Sequence, residues 1–293
     1  MAINYASKYA EIVDLAYKKY SLTAGLETSA ALWRESGIDP KTIYISSIAL
    51  PPIKDTTRGE HRTDNRTPSI NWNAHTFDMD REIIMDIDQM DLTETNVALL
   101  EALITEKAIA EFEEVDVYRF GAMAAKAIAL SQYANDSDAL TADNLVAAID
   151  TGRAALSEAK VPERDRFLFL SVECNSVMSS NYERFPVVLT NSNNGEYDTR
   201  VARYQGMNII EVPASMFNTS FDFTTNYVAD GDPINFLIVH KDAVVPIIKS
   251  MVSKVIPPTI NQRCNGYSVY SNFYHDIFFP AKKNGGMYVH YKG

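Results

Sequence analysis

The sequence predicts an α+β fold, and three observations predict it. Two extended, β-branched and aromatic runs between residues 43 and 88 are joined by a charged polar tip. A helix of unusual length follows at once, and long strands return at the C-terminal end. The tip, Arg58 to Ser69, has almost no apolar side chain to bury against its own core, and a projecting hairpin costs conformational entropy unless something else orders it. A neighbouring copy is the simplest such partner, so the pattern predicts an assembling subunit.

Taken in order, Tyr5, Tyr9, Val13, Tyr17 and Tyr20 recur at spacings of three and four, an aromatic stripe on a short helix before Gly25. Periodicity alone fits either a docking arm or a first helix packed on its own core. Residues 21–40 carry scattered Gly, Ser and Asp and end at Asp39-Pro40, a turn signal. The run Thr42 to Leu50 reads as a strand stopped by Pro51-Pro52, which cannot donate to a ladder. Its expected partner returns from Ile70 to Asp88, with Phe77, Met79, Ile83, Met85 and Ile87 on one face, so that the pair makes a long hairpin.

From Thr93 the spacing turns helical through Val97, Leu100, Ile104, Ala108, Phe112 and Val115, with Asp91 or Thr93 placed to cap the first turn. Continued to about Leu130, this helix would be about 55 Å long, with Gly121 a place for it to bend. Thr141 caps a second helix whose stripe is Leu145, Ala148, Ile149, Gly152, Ala155, Leu156 and Ala159, stopped before Pro162. Phe167 to Leu170, Met207 to Val212 and Ile234 to Val239 are apolar runs suited to strands covered on both faces. Val245 to Ile256, Tyr267 to Phe279 and Met287 to Tyr291 read as returning strands of one sheet.

Composition narrows the class. With 46% apolar and 22% charged residues the 293-residue chain can bury a sizeable core. Against 27 Lys and Arg stand 38 Asp and Glu, and the net charge of −11 disfavours tight phosphate-backbone binding. Cys174 and Cys264 form neither a disulfide framework nor a zinc spacing, which fits a reducing compartment. No secretory leader pattern or run of about 18 apolar residues occurs, and no membrane partner is expected.

The order of elements, an arm, a long hairpin, a long helix, a central α/β region and returning strands, resembles the Hong Kong 97-type fold of tailed-bacteriophage major capsid proteins. The segments Met1 to Tyr9, Val115-Asp-Val-Tyr-Arg119, Leu140-Thr-Ala-Asp-Asn144, Ala154 to Pro162 and Phe236-Leu-Ile-Val-His240 look like those of siphophage capsid proteins from Gram-positive hosts. The likeness spans almost the entire chain. It implies an N-terminal arm at 1–40, an extended β-hairpin loop at 41–90, a spine helix in a peripheral domain at 91–131, an axial α/β domain at 132–245 and the rest of the peripheral domain at 246–293. It implies a structural, non-enzymatic role, with no cofactor: pentamers and hexamers closing an icosahedral shell around double-stranded DNA, assembled in the bacterial host cytoplasm and ending in the virion.

Implied partners are other copies of the chain, a portal and in some relatives a decoration protein, with the packaged DNA touched weakly and non-specifically. No long region precedes the arm, so a separate scaffolding protein is expected instead of a fused one. Some relatives weld subunits through a Lys to Asn isopeptide bond assisted by a Glu; Lys54 in the loop and Asn261, Asn265 and Asn272 in the returning strands have the required side-chain types. An encapsulin-like compartment of the same fold is one alternative. A soluble α/β hydrolase-like enzyme using Cys174 or His240 is another, of a different class.

Nucleotide-loop, dinucleotide, nucleophile-elbow and zincin motifs are absent, and the five histidines lack metal-ligand spacing. His240 reads as a strand-end residue satisfying local backbone, and Cys174 as a small buried apolar side chain. Charge is more informative. Between Glu94 and Asp116 the long helix holds seven acids, Glu106, Glu113 and Glu114 among them, against Lys107 alone, whereas the hairpin holds Lys54, Arg58, Arg62 and Arg66. In the resembled family the loop lies over a neighbour, so the basic tip is expected to meet this acidic strip, the competing reading being a solvated helix face. Ile70, Trp72, Phe77 and Met79 on the returning strand are expected apolar contacts between copies.

Overall fold

A computed structural model describes residues 21–27, 33–35, 39, 41–50, 68–88, 97–136, 140–180, 203–224 and 226–293. The expected arm stripe from Tyr5 to Tyr20, the basic tip and the caps at Asp91 and Thr93 lie outside these residues. Strands β1 (Trp33–Glu35), β2 (Thr42–Ala49) and β3 (Ser69–Thr76) form one antiparallel sheet in that order. β4 (Met79–Asp88) precedes helix α1, which spans Val97–Ala129 and is about 50 Å long.

A six-stranded sheet forms the body. Its order is β5 (Tyr133–Asn135), β14 (Met287–Tyr291), β11 (Ile234–His240), β6 (Arg166–Ser171), β8 (Met207–Val212) and β7 (Arg203–Tyr204). Apolar side chains of β6 and β11 point alternately to its two faces. Phe169, Leu237 and Val239 pack under Phe120, Met123 and Ala127 of α1. Leu168, Leu170, Phe236 and Ile238 pack under helices α2 (Ala142–Glu158) and α3 (Val172–Ser180). Burial on both faces explains why these strands read as unbroken apolar runs. Thr141 is the N-cap of α2, as expected, and the Asn144 side-chain oxygen accepts from the Thr141 N–H, the reciprocal bond of a capping box.

Two expected pairings are corrected. The returning strand does not stay in the hairpin: β3 pairs with β2 from Thr42↔Thr76 to Ala49↔Ser69, but β4 leaves to pair with β13 (Gly266–Phe278). The switch falls at Phe77 and Asp78. Phe77 turns into a cluster with Val245 and Phe278, the two rings 5.5 Å apart and edge to face, and the Asp78 N–H donates to the Asp276 carboxylate at 3.1 Å. The last strand is the second correction. β12 (Val245–Ile256) and β13 pair together, while β14 crosses to β11 in the six-stranded sheet, where Met287, Tyr288 and Val289 are all buried. Helix α1 runs through Gly121 uninterrupted, and a Cβ there would sit 3.3 Å from the Phe221 ring.

Candidate assembly surfaces

The hairpin has two unlike faces. Odd positions at its root, Ile43 and Ile45, are buried with Phe77, Val245 and Ile247 of the same chain. Even positions, Tyr44, Ile48, Ile70 and Trp72, line the opposite face. Ile48 and Ile70 oppose each other across the strands and are 54% and 63% exposed. The Arg34 guanidinium lies 4.3 Å from the Trp72 ring centre and 5.3 Å from that of Tyr44, a cation–π stack along this face. Lys282 secures the hairpin from below by donating to the Ile48 carbonyl.

Of the contact residues read from the sequence, Ile70 and Trp72 are therefore open, and Met79 is half-buried. Phe77 is corrected: it is spent inside its own protomer, because the chain kinks there. Lys54, Arg58, Arg62 and Arg66 lie outside the described residues, as does the side chain of Glu106.

The acidic strip on α1 is not one continuous face, whether solvated or facing a partner. Glu113 is exposed and accepts from the Tyr227 hydroxyl at 3.2 Å. Glu114 forms an ion pair with Arg81 of β4, and Glu111 and Asp116 are buried. Asp116 receives the Ser21 hydroxyl at 3.0 Å, the Leu22 N–H at 2.7 Å and the Thr23 hydroxyl at 2.5 Å. Arg119, equally buried, donates to the Thr23 hydroxyl at 2.7 Å. Residues 21–26 are thus strapped under α1, with Leu26 fully buried beside Phe120 and Phe169. The sequence reading missed this anchor; the only signal was an aspartate among apolar neighbours on the helix stripe.

The residues considered for catalysis have structural roles. Burial of Cys174 raises its thiol pKa, and His240 Nδ1 accepts from the Asp242 N–H at 3.1 Å. The Asn261 amide donates to the Gly266 carbonyl and the Ser268 hydroxyl, both at 2.8 Å, while its oxygen accepts from Arg263 N–H, so its own turn occupies it fully. Among the described residues no group of three or more His, Cys, Asp or Glu is placed to hold a metal, and no helix is long and apolar enough to cross a membrane.

No protein-family model matches the sequence, and no curated protein matches it. Solved structures do. The capsid structure of cyanophage P-SCSP1u is 14% identical, with a TM-score of 0.63 over 92% of this chain and 86% of that one. The mature capsid of bacteriophage PhiM1 is 12% identical, with a TM-score of 0.63 over 93% and 87% of the two chains. The fold is the Hong Kong 97-type capsid fold. The capsid of Ralstonia phage GP4 extends the likeness at 9% identity and a TM-score of 0.57, over 94% of this chain and 90% of that one. At such identities the capsid fold is carried by apolar patterning and strand order, which many sequences satisfy.

Proposed function

We propose that this chain is the structural subunit of an icosahedral bacteriophage shell, assembling into pentamers and hexamers around a double-stranded DNA genome. The observation that carries the reading is the capsid fold over more than nine-tenths of the chain, at TM-scores up to 0.63. The exposed hairpin face of Ile48, Ile70 and Trp72 supports it, because an apolar surface on a projecting element calls for a neighbour. Residues 1–40 act as the arm, 41–90 as the extended loop, 91–131 as the spine-helix part of the peripheral domain, 132–245 as the axial domain and 246–293 as the returning peripheral strands, with Met287–Tyr291 contributed back to the axial sheet.

The role is mechanical, not catalytic: each contact is modest, and a closed array of copies holds its members by multivalency. Assembly takes place in the bacterial host cytoplasm, with a separate scaffolding protein and a portal, and a decoration protein can cover the finished shell. With a net charge of −11, contact with packaged DNA is weak and non-specific. The test is sedimentation and negative-stain microscopy of the purified chain, alone and with its co-expressed neighbouring genes. Closed particles or capsomers are expected; a strictly monomeric species in every condition sinks the reading.

A further inference from the structure

Three asparagines of this chain precede a glycine, at 194–195, 265–266 and 284–285. Such a pair is chemically labile where the chain can bend, because glycine has no Cβ to keep its backbone nitrogen away from the side-chain amide before it. The first pair lies outside the described residues. At the third, Asn284 is half-buried in a turn closed by the Lys283 N–H on the Pro280 carbonyl at 2.9 Å and the Gly286 N–H on the Lys283 carbonyl at 3.2 Å. The Gly285 carbonyl also accepts from the Gln132 amide at 3.0 Å, so this backbone is held against rearrangement.

The second pair is built differently. Asn265 is exposed in the bend between β12 and β13, and among the described residues its side chain has no hydrogen-bond partner. Asn261, in the same bend, has its amide fully engaged and is followed by Gln262. Gly266 opens β13 opposite Asp88 of β4. In an antiparallel strand the N–H and C=O of one residue point to the same side, and the Gly266 carbonyl is taken by the Asn261 amide in the bend. The Gly266 N–H therefore faces the bend as well, past the last β12–β13 pair at Ile256↔Ser268, and is turned away from β4.

We infer that Asn265 is a site of spontaneous covalent modification, converting to aspartate and isoaspartate with the Gly266 nitrogen as nucleophile. That nitrogen bonds to Asn265 Cγ, the Cγ–Nδ2 bond breaks, and the side-chain nitrogen leaves as ammonia with the proton of the Gly266 N–H. Water then opens the five-membered imide. Cleavage between the nitrogen and Cγ gives aspartate, and cleavage at the main-chain carbonyl gives isoaspartate. Either product adds a negative charge at the end of β13, where Asp88 lies opposite Gly266 and Asp86 already takes Arg263 at 3.3 Å. The isoaspartyl form also lengthens the main chain just ahead of the strand, a change that a fixed register does not absorb. The inference stands apart from the shell reading.

Peptide mapping by mass spectrometry, with isoaspartyl methyltransferase labelling, follows the change in the folded full chain and in the chain unfolded in guanidinium, both held at mildly alkaline pH. Asn265 should modify in the folded chain within about tenfold of its unfolded rate, whereas folding should slow Asn284 by more than that. Gly266→Ala puts a Cβ beside the attacking nitrogen and should slow the change at Asn265 by about tenfold or more, folded or unfolded. Folding that slows Asn265 by more than about tenfold overturns the inference. So does an unchanged rate in Gly266→Ala, or a folded Asn284 that changes as fast as Asn265.

Discussion

Asp116, on the 33-residue helix α1, accepts a 2.5 Å hydrogen bond from the hydroxyl of Thr23, 93 positions earlier in the chain. The same hydroxyl accepts from Arg119, so one small side chain bridges a buried carboxylate and a buried guanidinium. This bridge fixes residues 21–23 to the helix. Removing Asp116 takes the acceptor from the buried Thr23 hydroxyl and a negative charge from beside the buried Arg119. Asp116→Ala should cost about 3–5 kcal/mol and Thr23→Val about 1–3 kcal/mol in urea unfolding of the unassembled subunit. A Thr23→Val loss below about 0.5 kcal/mol would show that water replaces the bridge freely.

Two helix glycines should respond oppositely to alanine. At Gly152 a Cβ would lie 2.6 Å from Tyr288 Cδ1 and 3.1 Å from Ile238 Cδ1, both in the closed core between α2 and the six-stranded sheet. Overpacking there costs about 1–3 kcal/mol, which outweighs a helix-propensity gain of about 1 kcal/mol. At Gly121 the nearest atom is at 3.3 Å, on a half-buried Phe221 in a two-residue strand that can yield. Gly152→Ala should lower the thermal midpoint, and Gly121→Ala should leave it unchanged or raise it. Equal effects would contradict the packing difference.

His275 gives the subunit an acid-labile element. Its ring stacks on Phe273 and meets Tyr118 edge to face, and burial, with the Arg119 and Arg81 cations adding to it, pushes its pKa from 6.5 to about 3. Because the folded state prefers the neutral ring, the associated stability is complete above pH 6.5 and is lost as pH falls toward 3. At pH 5 the loss is about 2 kcal/mol. Burial raises the Asp116 and Asp276 carboxyl pKa values, so these groups take up protons more readily when folded and act in the opposite sense. His275→Phe should therefore flatten the fall in urea midpoint between pH 7 and 5; an unchanged slope would place the titration elsewhere.

Element spans were legible in the sequence where periodicity is local, and partners were not. Met207–Val212, Val245–Ile256 and Met287–Tyr291 have the bounds their apolar runs suggest. A period of two reports which faces are apolar but not which strand lies alongside, so the departure of β4 to β13 and of β14 to β11 could not be read. The candidate surface divides in the same way. Ile70 and Trp72 belong to a strand whose residues from Ser69 to Ala74 are exposed, whereas Phe77, of opposite parity and past the end of the β2–β3 pairing, turns into its own protomer where the Asp78 N–H meets Asp276. Asp116 looked like part of a charged face because the strap that buries it comes from the far end of the sequence.

That burial limits the charge complementarity between the basic tip and the long helix. With Asp116 and Glu111 buried and Glu114 paired with Arg81, Glu113 is the exposed acid among the described side chains of the strip. Steering by Arg58, Arg62 and Arg66, as expected from the sequence, would then act through a few screened contacts and should govern assembly rate and register more than final strength. The triple Arg→Ser variant should assemble less well than wild type at low salt, where the Debye length is about 30 Å at 0.01 M, and equally well near 1 M, where it is about 3 Å. Sedimentation yields measured at both salts decide it. A deficit that persists unchanged at high salt would assign the arginines to direct packing, and no deficit at either salt would remove the tip from the assembly contact altogether.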